Sequence, residues 1–274
     1  VNNSKLNINS ATYKKEKLEK FETELNYIEN GEKIYFGKTV VFQDVDKYRE
    51  RDIKKFRDME VGMIPPKLAQ IMINISEAKF GIYDPFVGLG TIPIEAINSG
   101  YKNIFGSDIS TELTLKTKKN LRSFFDKKID NLNTLIFQMD ACNIDSKLPK
   151  DAYDQILKSS IVTEGLLGEV MTKGNITIEK IEKQRYILKN LYEKFFTGLK
   201  KIGFKGNIVI SFPFWDLNGK YLYLKEIYEI FRILEIKIQK LLPDGIEFKE
   251  TKEGSLLYKR DDQQVGREIF KLKF

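Results

Sequence analysis

From residue 62 onward two hydrophobic periods alternate along the chain. Short apolar runs that suit buried strands (FGIYDPF, NIFGSD, NTLIFQMDA, SIVTE and GNIVISFPF) are separated by segments whose apolar residues recur at three and four. GMIPPKLAQIMINIS places Pro65 and Pro66 where a first helical turn tolerates them and lines up Leu68, Ile71, Met72 and Ile75. TIPIEAINSG predicts a helix closed by Gly100, and STELTLKTKKNLRSFFDKK one whose apolar face includes Leu113, Leu121 and Phe124. A long amphipathic helix is expected over 176–203, through Ile181, Leu188, Leu191, Phe195 and Leu199. This alternation predicts an α/β fold with a mainly parallel, doubly wound sheet. GSLLYKR and REIFKLKF, joined by DDQQVG, predict an antiparallel pair that closes the sheet at its C-terminal edge.

The first residues follow another pattern. They are polar and lysine-rich, with Leu18, Phe21, Leu25 and Ile28 spaced as on one helix face, so a frayed start and then a helix are expected. KIYFGKTVVFQDV, residues 33–45, is aromatic and β-branched and split by Gly37, which suggests a short hairpin. Residues 46–60 alternate charges densely, as a solvated helix face does. The expected organisation is a small N-terminal addition over 1–49 and one larger domain over 50–274.

Composition narrows the chemistry. A chain of 274 residues with 42% hydrophobic and 31% charged content can bury one sizeable core. No apolar run approaches the roughly 18 residues that span a bilayer, and no signal-peptide order opens the chain, so a cytoplasmic protein is expected, without a membrane partner. The chain opens at Val1, which is compatible with a processed or trimmed form. It has no histidine and one cysteine, Cys142, so an internal disulfide is excluded and a metal site is not expected. Any proton taken near neutral pH goes to a carboxylate, a lysine, a tyrosine or water. The formal charge of +7 favours a polyanionic partner such as RNA or DNA.

YDPFVGLGTIPIEA sits where the first parallel strand meets its helix, a position where backbone amides and a helix N-terminus collect. Gly88 and Gly90 let the backbone approach a bound molecule, and Asp84 at the strand end can take a hydrogen bond or balance a positive charge. A nicotinamide-binding fingerprint would carry glycine or alanine where GLGTIP has Pro93. The next two strands end in Asp108 and Asp140. An acid at the second strand can hold both ribose hydroxyls of an adenosine, and one at the third can receive the adenine amine. Each acid alone is equally well a loop cap; the three together with the glycines outline an adenosine slot.

DPFVGLGTIPIEA resembles the DPFCGSGT-type first motif of S-adenosylmethionine-dependent methyltransferases, specifically the THUMP-associated family that modifies the exocyclic amine of guanosine in tRNA. GMIPPKLAQIMIN is similar to the segment before that family's first strand, and GSDIS and FQMDA fit its second and third motifs. The resemblance covers about residues 50–270 and implies a Rossmann-like class I methyltransferase fold with S-adenosylmethionine as cofactor and tRNA as partner. By that resemblance Asp84, Pro85, Phe86, Gly88, Gly90 and Thr91 line the methionine and ribose side, Asp108 and Ile109 the ribose, and Asp140 with Ala141 the adenine. A complete RNA-binding THUMP domain does not fit into about 50 residues, so a recognition partner or an upstream domain is expected.

In that family the fourth strand ends in Asp-Pro-Pro-Tyr, whose carboxylate and a backbone carbonyl aim the target amine and whose tyrosine stacks on the base. This chain has Thr163, Glu164, Gly165, Leu166, Leu167 and Gly168. Glu164 and Thr163 are the expected catalytic positions, and Gly165 the adjoining substrate contact. Gly165 and Gly168 would let a shifted loop absorb the longer acid. Phe212, Phe214 and Trp215 in SFPFWD offer replacement rings on the same rim, or else packing under the final helix; Phe214 and Trp215 are the expected base contacts. Cys142, without a base partner, reads as a small buried residue, and Lys116, Lys118, Lys119 and Arg122 as a solvated or phosphate-facing helix face. YKRDDQQVGREI would place Arg260 and Arg267 near the substrate edge. Two alternatives stay open: a cofactor-binding, non-catalytic subunit on RNA, and a methyltransferase acting on a DNA amine.

Overall fold

The computed structural model describes residues 10–18, 25–40, 44–46, 64–242 and 251–274. It divides into two compact units, Val1–Lys54 and Lys55–Phe274. The first contains helix α1 (Ser10–Lys15) and an antiparallel hairpin of β1 (Leu25–Asn30) and β2 (Lys33–Lys38). Leu25 and Ile28 are therefore in a strand, not on the expected helix, and the hairpin lies earlier than expected. Asn30 pairs with Lys33 around a two-residue turn in which Gly31 takes φ 58°, a value that glycine adopts without strain. The alternating β-branched and aromatic residues on both sides of this turn outweigh the helical spacing. Phe21 and nearly all of the charged stretch 46–60 lie outside the described residues.

The larger unit contains, in chain order, α2 (Pro66–Ser76), β3 (Ile82–Asp84), α3 (Thr91–Asn98), β4 (Asn103–Asp108), α4 (Thr111–Phe125), β5 (Asn133–Gln138), α5 (Ile144–Lys147), α6 (Tyr153–Lys158), β6 (Ser160–Thr163) and α7 (Ile178–Lys201). Then follow β7 (Ile208–Leu217), β8 (Lys220–Tyr223), α8 (Glu226–Leu234), β9 (Lys237–Gln239), β10 (Leu256–Tyr258) and β11 (Val265–Lys273). The sheet runs β5-β4-β3-β6-β7-β11-β10, and β8 and β9 pair with β7 and β11. Strands β5 to β7 in that order are parallel; β11 runs antiparallel to β7, β9 and β10. This is a Rossmann-like α/β fold with the expected antiparallel closure. The short α5, α6, β8 and β9 carry too few residues for a period to show in sequence.

Successive strand residues feed opposite faces, which is why the central strands are apolar throughout. Ile82, Ile104, Val162, Val209 and Ile269 pack on α2 and α3. Tyr83, Phe105, Ile161, Ile208 and Ile210 pack on the other side, where α7 contributes Leu188, Tyr192, Phe195, Phe196 and Leu199. There Phe212, Phe231 and Phe270 form a cluster of tilted and edge-on rings 5.8–6.0 Å apart. Burying each such ring contributes about 1.5–3 kcal/mol.

The expectation that SFPFWD presents rings to a substrate is overturned. Strand β7 continues to Leu217, so the aromatic positions lie within the sheet and not beyond its rim. Trp215 is 0% exposed, and Phe214 lies across Gly266 on β11, where an added Cβ would sit 2.2 Å from its ring. Phe214 also packs on Tyr221 and Tyr223 of β8. The residue opposite a large ring on the neighbouring strand is a glycine, a pairing invisible until the register is known.

Trp215 is the only tryptophan, so its emission reports this burial directly. The folded protein is expected to emit at short wavelength and to resist iodide quenching until it unfolds. Trp215→Ala should lower stability by about 3–5 kcal/mol in urea titrations. A red-shifted, readily quenched native spectrum would put the ring back at the surface.

Candidate functional site

Strand order reverses between β3 and β6, and ligands of open α/β sheets bind at the carboxyl ends of the strands at such a point. The turn after β3 is drawn tightly onto its neighbours. Val87 N–H donates to Ser107 O (2.9 Å) and Gly90 N–H to Val87 O (2.8 Å). Gly88 and Gly90 take φ 51° and 83°. Helix α4 fastens the turn from behind, with Thr117 Oγ1 donating to Gly88 O (2.6 Å) and Asn120 Nδ2 to Leu89 O (2.8 Å). A Cβ on Gly90 would fall 2.8 Å from Thr117 Cγ2. The buried face of α4 is therefore mostly polar, Thr114, Thr117 and Asn120; of the expected apolar residues Leu121 is buried, Phe124 packs against its cluster and Leu113 is only partly buried. The spacing of three in TxxTxxN is the signal of this polar face. On β4, Gly106 leaves room for Val87, whose Cγ2 would lie 2.8 Å from an added Cβ.

Three carboxylates ring this turn. Asp84 is buried, and its Oδ1 accepts from Phe86 N–H (3.1 Å) and from the Thr163 hydroxyl (2.7 Å). Burial pushes its pKa up to about 7 against those bonds, and the Asp108 and Glu164 charges add to the rise. Asp108 accepts Gly88 N–H on Oδ2 (3.0 Å) and Ser110 N–H on Oδ1 (2.9 Å). Asp140 caps the turn after β5, accepting Cys142 N–H (2.9 Å). Burial pushes the Cys142 thiol up to about 11, which leaves it inert at neutral pH.

After β6 the TEGLLG segment is held at several points. The Ser211 hydroxyl donates to Glu164 O (2.5 Å), the Tyr192 hydroxyl to Leu166 O (2.8 Å), and Glu169 N–H to Gln184 Oε1 (3.2 Å). Gly165 and Gly168 have φ 70° and 88°; a Cβ on Gly165 would meet Tyr192 Oη at 2.6 Å. The Glu164 carboxylate is bound by Arg267 Nε from β11 and by the backbone amide of Ile64. Burial raises the Glu164 pKa, and Arg267 pulls it back.

Asp84, Pro85, Phe86, Gly88, Thr91, Asp108, Ile109, Asp140, Ala141, Glu164 and Gly165 line one cleft of about 630 Å³. Gly90 sits behind its wall as the first-turn cap of α3. Thr163 is fully buried beneath the cleft and touches Asp84, and Phe214 and Trp215 belong to the core. Arg267, expected near the substrate edge, lines the cleft together with the turn Asp262–Gln264, whereas Arg260, expected beside it, is not among the lining residues. Ser211, Tyr192, Gln184 and Ile64 carried no signal, because their roles depend on contacts with distant elements. No metal-holding group of side chains occurs among the described residues, and no described helix is long and apolar enough to cross a membrane.

The raised Asp84 pKa has a consequence for stability. Unfolded, the group titrates near 3.9, so between about pH 4 and 7 the folded state keeps a proton that the unfolded state has lost. Stability should therefore fall as pH rises through that window, by about 4 kcal/mol from this group. Asp84→Asn should flatten this part of the slope in urea titrations from pH 4 to 8; an unaltered slope would mean that Asp84 is ionised throughout.

No family model matches the sequence. The tRNA (guanine(10)-N2)-dimethyltransferase of Pyrococcus abyssi (strain GE5 / Orsay) is 26% identical over 183 residues, 67% of this chain and 49% of that protein. The protein of the same name from Methanothermobacter thermautotrophicus is 42% identical over 65 residues, 23% of this chain and 19% of that protein. The match thus spans about half the length of the first relative and about a fifth of the second. Among solved structures, TrmN from Thermus thermophilus has a TM-score of 0.49 at 14% identity, covering 91% of this chain and 59% of that one. A putative RNA methyltransferase, PH1948 from Pyrococcus horikoshii, has a TM-score of 0.47 at 12% identity, covering 84% and 98%. Over two thirds of its length, the chain is similar in sequence to a tRNA guanine-N2 dimethyltransferase.

Proposed function

We propose that the chain is an S-adenosylmethionine-dependent methyltransferase that acts on the exocyclic amine of guanosine in tRNA, in the cytoplasm. The observation that carries this reading is the convergence of Asp84, Asp108, Asp140 and Glu164 on one cleft around a glycine turn. The sequence similarity supplies the substrate class.

The residues present fit the cofactor. Gly88 offers bare backbone to it, and a 630 Å³ cleft is in the size range of small-molecule sites. A carboxylate has about four acceptor positions, and the two backbone amides on Asp108 leave capacity for a ribose diol. Asp140 would receive an adenine amine, with Ile109, 65% exposed, and Ala141 beside the ring. The bound cofactor supplies a methyl group already activated on a sulfonium. The chain's own task is aim, because an activated methyl needs a correctly directed nitrogen more than a strong base.

Glu164 accepts one hydrogen of the target amine and takes up the proton that the nitrogen sheds on gaining the methyl. Leu166 and Val170, 42% and 67% exposed, offer apolar surface to the base in place of a stacking ring. A second reading, a cofactor-binding subunit without turnover, is favoured by the burial of Phe214 and Trp215. Losing a stacked aromatic costs about 1–3 kcal/mol of base binding. In either reading a partner or an upstream domain would recognise the folded RNA.

Mass spectrometry of nucleosides from unmodified tRNA, incubated with the protein and S-adenosylmethionine, should reveal new methylguanosine; preferential methylation of DNA would change the substrate. Asp108→Ala should weaken cofactor binding by about 10–100-fold, as measured by calorimetry, through loss of charged hydrogen bonds. Glu164→Gln should leave cofactor affinity unchanged and slow transfer by about 100-fold. Cofactor binding with no methylated nucleoside on tRNA or DNA would favour the second reading.

A further inference from the structure

We propose that Arg267 is a positioning residue: it fixes the direction of the Glu164 side chain and keeps a negative charge on it in the closed part of the cleft. The inference rests on Glu164 being the amine acceptor and goes beyond it by assigning how this acid is held.

Arg267 lies on β11, two strands from the strand that delivers Glu164, and its side chain is almost fully buried. It reaches the Glu164 carboxylate through Nε, with its guanidinium 6.0 Å from the centre of the Tyr258 ring on β10. The Ile64 amide bonds the same carboxylate, and Ser211 holds the Glu164 carbonyl, so head and backbone are fixed separately. The longer arm of glutamate is thus taken up by a cation on another strand, not by slack in the loop. Among the described residues, the Glu164 charge raises the proton affinity of Asp84 on β3 and of the Tyr192 phenol on α7. Tyr192 stays protonated, because burial raises its pKa, and donates to Leu166 O. The Glu164 charge helps to hold the proton on Asp84, and Arg267 is the cation that opposes the burial of the Glu164 carboxylate.

The test is the pH dependence of kcat from pH 5 to 9 with tRNA as substrate, for wild type, Arg267→Met, Arg267→Lys, Glu164→Asp and Glu164→Gln. Urea midpoints and cofactor affinity are recorded for each. Asp84 titrates near 7, so the series is repeated in an Asp84→Asn background. In Arg267→Met the acidic limb should move up by at least about one pH unit, since removing an adjacent opposite charge raises a carboxylate pKa by about 1–3 units. Arg267→Lys keeps the charge but not the planar fork, so kcat should fall without that displacement. Glu164→Asp, too short to reach Arg267, should behave like Arg267→Met.

A purely structural role for Arg267 would lower the urea midpoint and slow the reaction equally at every pH. An unmoved limb in a folded Arg267→Met protein overturns the proposal. Should Arg267→Met not fold, an unmoved limb in Glu164→Asp overturns it instead. Full activity of Glu164→Gln overturns the parent reading as well, whereas an inactive Glu164→Gln with no displacement elsewhere overturns only the role of Arg267.

Discussion

Across the gap where strand order reverses, one buried hydrogen bond joins the ends of β3 and β6: the Thr163 hydroxyl to Asp84 Oδ1, at 2.7 Å. The glycine turn starts immediately after Asp84 and the EGLLG loop immediately after Thr163, so both walls of the cleft hang from this contact. A bond between two inward side chains of adjacent parallel strands cannot form unless the register is correct, and it leaves neither group unsatisfied in a core where that would cost about 1–3 kcal/mol. The site is thus built on rigid strands, and its loops inherit their positions.

The acids of the cleft show that a structural and a functional reading need not compete. Asp108 and Asp140 each hold backbone amides, as loop caps do, and each also faces the cleft. Capping fixes the direction of a carboxylate and leaves lone pairs free, which is what preorganised ligand binding requires. Glu164 follows the same logic with a stronger partner. A charge removed from water costs several kcal/mol unless paired, and Arg267 and the Ile64 amide supply that pairing at a place where the chain has no histidine to use.

The strands and the first two acids were legible because a parallel strand buried on both faces is largely apolar, so a terminal aspartate stands out, as at Asp84 and Asp108; Asp140 lies two residues beyond the partly exposed edge strand β5. The glycine turn was legible for a similar reason: only close backbone approach explains Gly88 and Gly90 next to a helix start. What was hidden depended on register. Phe214 and Trp215 look like rim residues until β7 is seen to run on and Gly266 is found opposite Phe214. Thr117 and Asn120 look solvated until the turn they hold is placed over them. The hairpin at Leu25–Lys38 was misread because Leu25 and Ile28 continue the helical spacing set by Leu18 and Phe21, and a strand of six residues is too short to break that pattern; Gly31 at the turn decides for the hairpin.

Histidine is absent from the chain, and this gives the buried carboxyls an importance beyond the cleft. In the unfolded chain no side chain titrates between the carboxylates near pH 4 and the single thiol near 8.5. In the folded protein Asp84 and Glu268 are both pushed up to about 7 by burial. Folding therefore creates the molecule's own buffering capacity near neutrality: it withdraws protons from the solvent, and a weakly buffered solution turns more alkaline as the chain folds.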